Sequence, residues 1–445
     1  MKIAVIGAGI SGLVAAYRLH SEHEITVFEA NDYAGGHTNT VEVELEGERH
    51  SIDTGFIVFN DWTYPNFIAL LDELGVGSRS TTMSFSVHDE QTGLEYNGHS
   101  LNTLFAQRRN LLRPGFYRML ADILRFNREA RRYVSELHDE ITVGEFLLRH
   151  QFSAAFAKYY LLPMGAAIWS CPIGAFADFP IRFIVDFYHN HGLLNVLRRP
   201  TWRVVEGGSR TYVEAMTRTF RDTIRLQTPV QSVRRHPDHV DVQPRGGSSE
   251  SFDHVIFACH SDQALRILGR GATTQELEIL SAFPYERNVA VLHTDVSLLP
   301  RTKRAWASWN YRLHGDDSRP ASVTYNMNTL QGVRSRHTFC VTLNDETRIA
   351  PELVLRRFEY QHPVFTTQRG SAQARQAEVL NANRTSFCGA YWRNGFHEDG
   401  VVSALAVVNA LRQNASDTEF VSTLMSPASA VHKNARSTPL AVVAE

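Results

Sequence analysis

Apolar and polar positions alternate along this chain in blocks that predict its elements. Lys2-Ile3-Ala4-Val5-Ile6 is a short apolar run that reaches glycines at 7, 9 and 12. Residues 10–20 then have helical spacing, and Ile25-Thr26-Val27-Phe28 is a second apolar run ending in Glu29. This order predicts strand, helix and strand. Val41-Glu42-Val43-Glu44-Leu45 alternates, turns at Glu46-Gly47 and returns through Ser51-Ile52-Asp53, the pattern of a hairpin. Residues 64–74 are spaced as a helix that stops at Gly75, and residues 81–96 form a second hairpin turning near Thr92-Gly93.

Strand signals vanish from residue 100 to about 195. Helical spacing covers 116–137, 143–149, 154–169 with a break at Pro163, and 181–197. This stretch reads as a helical insertion. It carries a basic run, Arg108, Arg109, Arg113, Arg118, Arg125, Arg128, Arg131 and Arg132, against Asp122 and Glu129. Two readings stay open: a solvated face with local ion pairs, or a surface for anionic lipid or an acidic partner. Strands return at Trp202-Arg203-Val204-Val205, which leads into Gly207-Gly208-Ser209 and a helix to Phe220. Further strands follow at 224–226, 230–233, 240–242 and 252–259, then a set rich in aromatic residues over 284–345. A last buried strand covers 385–389, with a helix over about 400–411. Beyond about Thr423 the composition of Ser, Ala and Pro predicts a disordered tail, residues 424–445.

The glycine run has a chemical reading. In Gly7-Ala8-Gly9-Ile10-Ser11-Gly12, Gly7 permits a tight turn, Gly9 lets backbone approach a pyrophosphate, and Gly12 lets helix pack on strand. The helix start offers free N–H groups and a partial positive charge to phosphates. Glu29 closes the fingerprint as an acceptor for the ribose hydroxyls of an adenosine.

Composition narrows the class. The chain has 445 residues, 43% hydrophobic and 21% charged, as in a soluble globular enzyme of two or three structural units. A net charge of −2 gives no global pull towards nucleic acid. Cys171, Cys259, Cys340 and Cys388 are scattered, and the 20 histidines show no metal-ligand spacing, so no metal site is expected. His189 and His191 read as a loop or helix-end pair. No apolar run approaches a membrane span, and the first strand starts at Lys2. The expectation is a cytoplasmic protein, with peripheral membrane contact left open.

The text after Glu29, Ala30-Asn31-Asp32-Tyr33-Ala34-Gly35-Gly36-His37-Thr38, resembles the flavin-containing amine oxidase superfamily, which also holds phytoene-desaturase-like and protoporphyrinogen-oxidase-like enzymes. In that family a Gly-Gly pair brings amides to the pyrophosphate of FAD, and Arg often follows where this chain has His37. The resemblance implies an α/β fold. An FAD-binding Rossmann-like (GR2-type) domain would be assembled from the discontinuous segments 1–80, 200–268 and 380–423. An α+β substrate domain with a helical insertion would come from 81–199 and 269–379. It implies FAD held by Gly7, Gly9, Ile10, Ser11, Gly12, Glu29, Ala30, Gly35, Gly36, His37 and Thr38, with Thr54 and Gly55 near the isoalloxazine and Val230 at the adenine. The block Phe387 to Gly400 would place Gly389, Gly400 and Val401 at the flavin, where a helix start favours the negative charge of the reduced ring. Phe396, His397 and Trp202 are the candidate catalytic residues, and Cys388 reads as a buried thiol rather than a covalent flavin anchor.

The implied chemistry is hydride transfer from a C–N or C–C bond to flavin N5. A lysine is sometimes found near N5 in amine oxidases, but Lys303 sits in an exposed turn sequence. A desaturase or isomerase of an acyl or isoprenoid lipid, and a non-catalytic flavin-binding protein, are the alternatives. The electron acceptor is open, oxygen included, and the substrate is a small molecule or a lipid.

Overall fold

The two apolar runs form the strands Lys2–Ile6 and Glu24–Phe28, paired in parallel. In the computed structural model, which describes residues 1–137, 141–169, 171–195, 198–315, 322–366 and 368–413, they centre a five-stranded sheet. Its order is Ile224–Arg225, Glu24–Phe28, Lys2–Ile6, His254–Phe257, Thr385–Phe387, and every pairing is parallel. Parallel sheets need cover on both faces. Ile3 and Val5 point into a core shared with the helices Ile10–Leu19 and His397–Gln413. Ala4 and Ile6 point to the other side, against Ser261–Leu268 and the meander Val230–Arg235, Val240–Pro244, Glu250–Phe252. The tail residues 424–445 lie outside the described residues.

A seven-stranded sheet forms a second layer, ordered Val354–Pro363, Tyr285–His293, Cys340–Leu343, Ser322–Asn326, Trp309–Leu313, Phe85–Asp89, Glu95–Asn97. Leu292, Tyr311, Val323 and Val341 share the largest core with Phe126, Phe146, Phe156 and Tyr188 of the helical block. Such aromatic packing supplies large buried area, roughly 1.5–3 kcal/mol for each fully buried side chain. Among the described residues no helix is long and apolar enough to cross a membrane. The four cysteines are unpaired.

Three sequence expectations are corrected. The break expected at Pro163 falls earlier, in a π-turn over Ala157–Leu161, and Leu162–Trp169 runs through the proline. Pro163 has no N–H for the Tyr159 carbonyl, which instead accepts the Tyr96 hydroxyl at 2.5 Å. The helix expected over 181–197 ends at Asn190, where Gly192 at φ +67° turns the chain and Leu193 N–H donates back to Tyr188 O. The last helix starts at His397 rather than near Gly400, because Asp399 reaches back to accept the Phe396 N–H at 2.8 Å.

Candidate functional site

The strand Lys2–Ile6 hands the chain to a glycine turn whose geometry is set by close approaches. Gly7 lies at φ +107°, and a Cβ there would meet Ala258 O at 2.8 Å. A Cβ on Gly12 would lie 2.0 Å from Gly7 O, so helix and turn pack on bare backbone. Gly9 differs: its φ of −75° suits any residue, and nothing in the protein lies within 4 Å of a Cβ placed there. Gly9 instead lines a cavity. The helix Ile10–Leu19 begins there with no side-chain cap and no acidic residue in its first turn, leaving amides for an anion. Gly35 N–H donates to Ala8 O at 2.8 Å, which folds the second glycine pair against the first. Glu29 accepts from Ala8 N–H and Asn31 N–H, both at 2.8 Å, and these bonds aim its carboxylate. The open Gly9 face, the uncapped amides and this oriented carboxylate fit the phosphates and ribose of a dinucleotide.

The cavity measures about 930 Å³ and continues from Glu29 through the glycines into the molecule. Of the expected residues, Gly7, Gly9, Ile10, Ser11, Glu29, Ala30, Gly35, Gly36, His37, Thr54, Gly55, Val230, Gly389, Trp202, Phe396 and His397 line it. Gly12, Thr38, Gly400 and Val401 do not, and each has a packing reason. A Cβ on Gly400 would meet Ile10 Cγ2 at 2.7 Å, and Val401 is core against the first helix. Thr38 is buried, its hydroxyl joining Tyr212 Oη at 2.5 Å and His397 Nε2 at 3.2 Å.

His397 is therefore held on several sides. Nε2 pairs with Tyr212 Oη at 2.6 Å, and the ring stacks on Phe56 at 3.6 Å. Burial holds its pKa well below the usual imidazole range, with His37 adding to the effect. The ring thus positions the first turn of the last helix beside Phe56. Phe396 stacks on Phe187 at 5.2 Å. Asp53 pins the segment before Thr54 by accepting from Thr40 Oγ1 at 2.6 Å, Ser209 N–H at 2.9 Å and Gln331 Nε2 at 3.1 Å. That ties the first hairpin to the turn at Gly207-Gly208-Ser209, which follows the strand whose Trp202 lines the cavity.

Sequence reasoning missed a group of imidazoles. His37 lies 6.4 Å from His260 and 5.3 Å from His362 between ring centroids, and it stacks on Tyr360 at 5.0 Å. All four residues line the cavity. His37 Nε2 and His362 Nδ1 are buried without a hydrogen-bond partner in the protein. Burial pushes His37 and His260 down to about 4 and His362 down to about 3, so all three are neutral near pH 7. The two-residue spacing of Tyr360 and His362 on a strand was the only local signal, and it leaves the face undecided. Two expectations about ligands can be placed. Lys303 is exposed and lies outside the cavity wall. Outside the cavity, His236, His239 and Asp241 bring ligand atoms within 4.8 Å of one another, a grouping that sequence spacing did not flag.

The model of a flavin containing amine oxidoreductase matches residues 10–291. The Staphylococcus aureus (strain Newman) 4,4'-diapophytoene desaturase is 48% identical over 56 residues, 12% of this chain and 10% of that protein. The match thus spans about a tenth of the length of that curated relative. Similar solved structures include an Exiguobacterium sp. 255-15 protein described as a protoporphyrinogen oxidase, with a TM-score of 0.66 at 18% identity over 93% of this chain and 99% of that one. Cyclohexylamine oxidase from Brevibacterium oxydans IH-35A gives a TM-score of 0.62 at 16% identity over 92% and 99%. A CLA-producing fatty acid isomerase from P. acnes gives 0.62 at 14% over 92% and 97%. At such identities the likeness carries the fold and leaves the substrate to the site.

Proposed function

Because the chain belongs to the flavin containing amine oxidoreductases, we propose that it is an FAD-dependent oxidoreductase that takes a hydride from a C–H bond on the carbon chain of an elongated apolar substrate, as a desaturase or isomerase does. The observation that carries this reading is the inner cavity wall. Met83, Phe85, Met164, Ile168, Trp169, Phe187, Leu330, Leu343 and Phe365 line it, and among the described residues no lysine does. Its lining carboxylates among the described residues are Glu29, committed to the glycine turn, and Glu359, exposed and ion-paired with Arg287 at 2.5 Å. An alkylammonium substrate would lose its hydration in this wall without a counter-ion, a cost of several kcal/mol. A hydrocarbon chain gains instead, about 0.8 kcal/mol per buried CH₂.

When bound, FAD supplies the hydride acceptor at N5. The chain's part is to hold, orient and dry the site. Glu29 and the uncapped amides of Ile10–Leu19 take the ribose and phosphates. Phe396, stacked on Phe187, and Trp202 shape the wall where a substrate would lie. Desaturation also releases a proton from the neighbouring carbon; burial makes His37 too weak a base to store it near pH 7, and its unpartnered Nε2 instead offers the cavity a hydrogen-bonding atom.

The purified protein is expected to release FAD on denaturation. In anaerobic mixing its flavin band should bleach with unsaturated acyl or isoprenoid lipids and stay oxidised with primary amines. Bleaching by amines alone would overturn the apolar reading. A second expectation concerns Glu29. Replacing it by Ala removes charge-assisted bonds to the ribose worth roughly 1.5–3 kcal/mol each, so the FAD Kd should rise about tenfold to hundredfold or more. Glu29→Gln should fall between. Equal FAD retention in all three proteins, read by flavin fluorescence after gel filtration, would show that the carboxylate does not face the ribose.

A further inference from the structure

We propose that residues 98–118 are a docking surface for an anionic lipid bilayer, holding one mouth of the cavity against the headgroups. Leu101 and Leu112 are 77% and 87% exposed, and Leu111 and Tyr117 are 46% and 47% exposed. These four large apolar side chains stand exposed within one short stretch of chain, and Tyr117 Oη donates to Leu111 O at 3.0 Å. Between Glu95 and Asp122 the sequence holds no acidic residue, but it holds Arg108, Arg109, Arg113 and Arg118, the last ion-paired with Asp122 at 3.5 Å. Arg108 donates to Asn102 Oδ1 and Phe105 O, and Arg109 to Gly93 O and Gln107 Oε1. None of these partners carries a charge, and among the described residues neither exposed guanidinium has a carboxylate partner. The later arginines behave otherwise: Arg128 and Arg132 pair with Glu129 at 2.7 Å. Arg108 and Arg109 thus stand apart from the ion-paired arginines, and the exposed leucines lie in the same stretch as these two.

The platform beneath is firm. Phe116 is buried against Tyr96 and Phe105, and Asn110, fully buried, donates to Glu95 O. The leucines are therefore held outward by a packed base. Protruding apolar side chains interleaved with cations suit a lipid interface, where tails take the leucines and anionic headgroups take the arginines. An acidic protein would satisfy only the charges. The patch also continues into the cavity: Gly98 and His99 are exposed and line it, three residues or fewer before Leu101. A lipid could pass from bilayer to cavity without crossing water. The surface stands on its own exposure and charge, so it can hold even if the substrate class proposed above fails.

The test uses the flavin-loaded protein and co-sedimentation with vesicles of phosphatidylcholine alone or with about 30% phosphatidylglycerol. Binding is expected to the anionic vesicles and to weaken as salt rises. Leu101→Ser with Leu112→Ser should weaken it about tenfold, and Arg108→Glu with Arg109→Glu about twenty-fivefold or more, at about fivefold per lost cation. All four positions are exposed, so flavin content and melting temperature should not move. Absence of binding to anionic vesicles, or equal binding by both double variants and the parent, would overturn the proposal. Capture by immobilised polyglutamate without vesicle binding would overturn it in favour of an acidic protein partner.

Discussion

Lowering the pH from about 7 to about 5 is expected to destabilise the folded state of this protein. Histidines held neutral by burial include His37, His191, His254, His260 and His293 at about 4, and His362 at about 3. Their neutral forms are built into the interior. His293 Nε2 meets Thr342 Oγ1 at 2.7 Å, and His254 Nε2 meets Ser386 Oγ at 3.1 Å. In the unfolded chain each takes a proton near pH 6.5, whereas in the folded chain it does so only near pH 4 or below. Between those limits the unfolded state binds more protons, so stability falls as pH falls through that window. Each group then costs about 2 kcal/mol by pH 5. Two buried carboxyls act in the opposite direction. Asp53 is pushed up to about 6 and Asp399 to about 7, so the folded state takes up their protons first. Together they return about 4 kcal/mol over the same interval. The histidines outweigh the two carboxyls, so the net effect is destabilisation by several kcal/mol. Urea titrations at both pH values check this, and an unchanged midpoint would refute it. His254→Gln should remove about 2 kcal/mol of the pH dependence and leave the rest.

Gly12→Ala and Gly9→Ala are expected to fail in different ways. Alanine is the better helix former by about 1 kcal/mol, so propensity alone favours Gly12→Ala. Contact decides otherwise: its Cβ would sit 2.0 Å from Gly7 O and 3.0 Å from Ala258 Cβ, and both neighbours belong to the sheet that the helix covers. Overpacking of this kind costs about 3 kcal/mol or more, and the displaced helix start would no longer aim its amides at the cavity. This variant should melt earlier and carry no flavin. Gly9→Ala meets no protein atom and needs no unusual backbone angle, so its melting temperature without flavin should equal the parent's. Its methyl group would nonetheless occupy the face left for the pyrophosphate, weakening FAD binding at least about tenfold. Thermal melts and FAD titration of the stripped proteins separate the two outcomes. Full flavin binding by Gly9→Ala would mean that the phosphates do not pass over Gly9.

Residues 1–36 were legible because every constraint in them is local. An apolar run long enough for one strand, a helix that begins on a glycine, and a carboxylate at the end of the next strand lie within one supersecondary unit, and the contacts that set Gly7 and Gly9 follow from backbone sterics over a few residues. The same holds for both hairpins, where alternation and a turn glycine fix the pairing of Thr40–Leu45 with Glu48–Asp53. Helix ends were less legible. The start at His397 depends on one side-chain acceptor, Asp399, and the stop at Asn190 on one left-handed glycine, Gly192. Each is a single bond or angle that periodicity does not register.

The sequence by itself determined the strand–turn–helix–strand unit, the parallel α/β class and the glycine cradle, since these rest on neighbours in the chain. Only the tertiary structure decided which distant side chains share the cavity. His37, His260 and His362 come from three segments more than a hundred residues apart, and Thr38, next to His37, meets Tyr212 and His397 from two further segments. Their meeting depends on how two sheets and a helical block pack. That packing also turns an imidazole with an ordinary pKa into a neutral wall of the cavity, because burial, unlike spacing, is a property of everything around the residue.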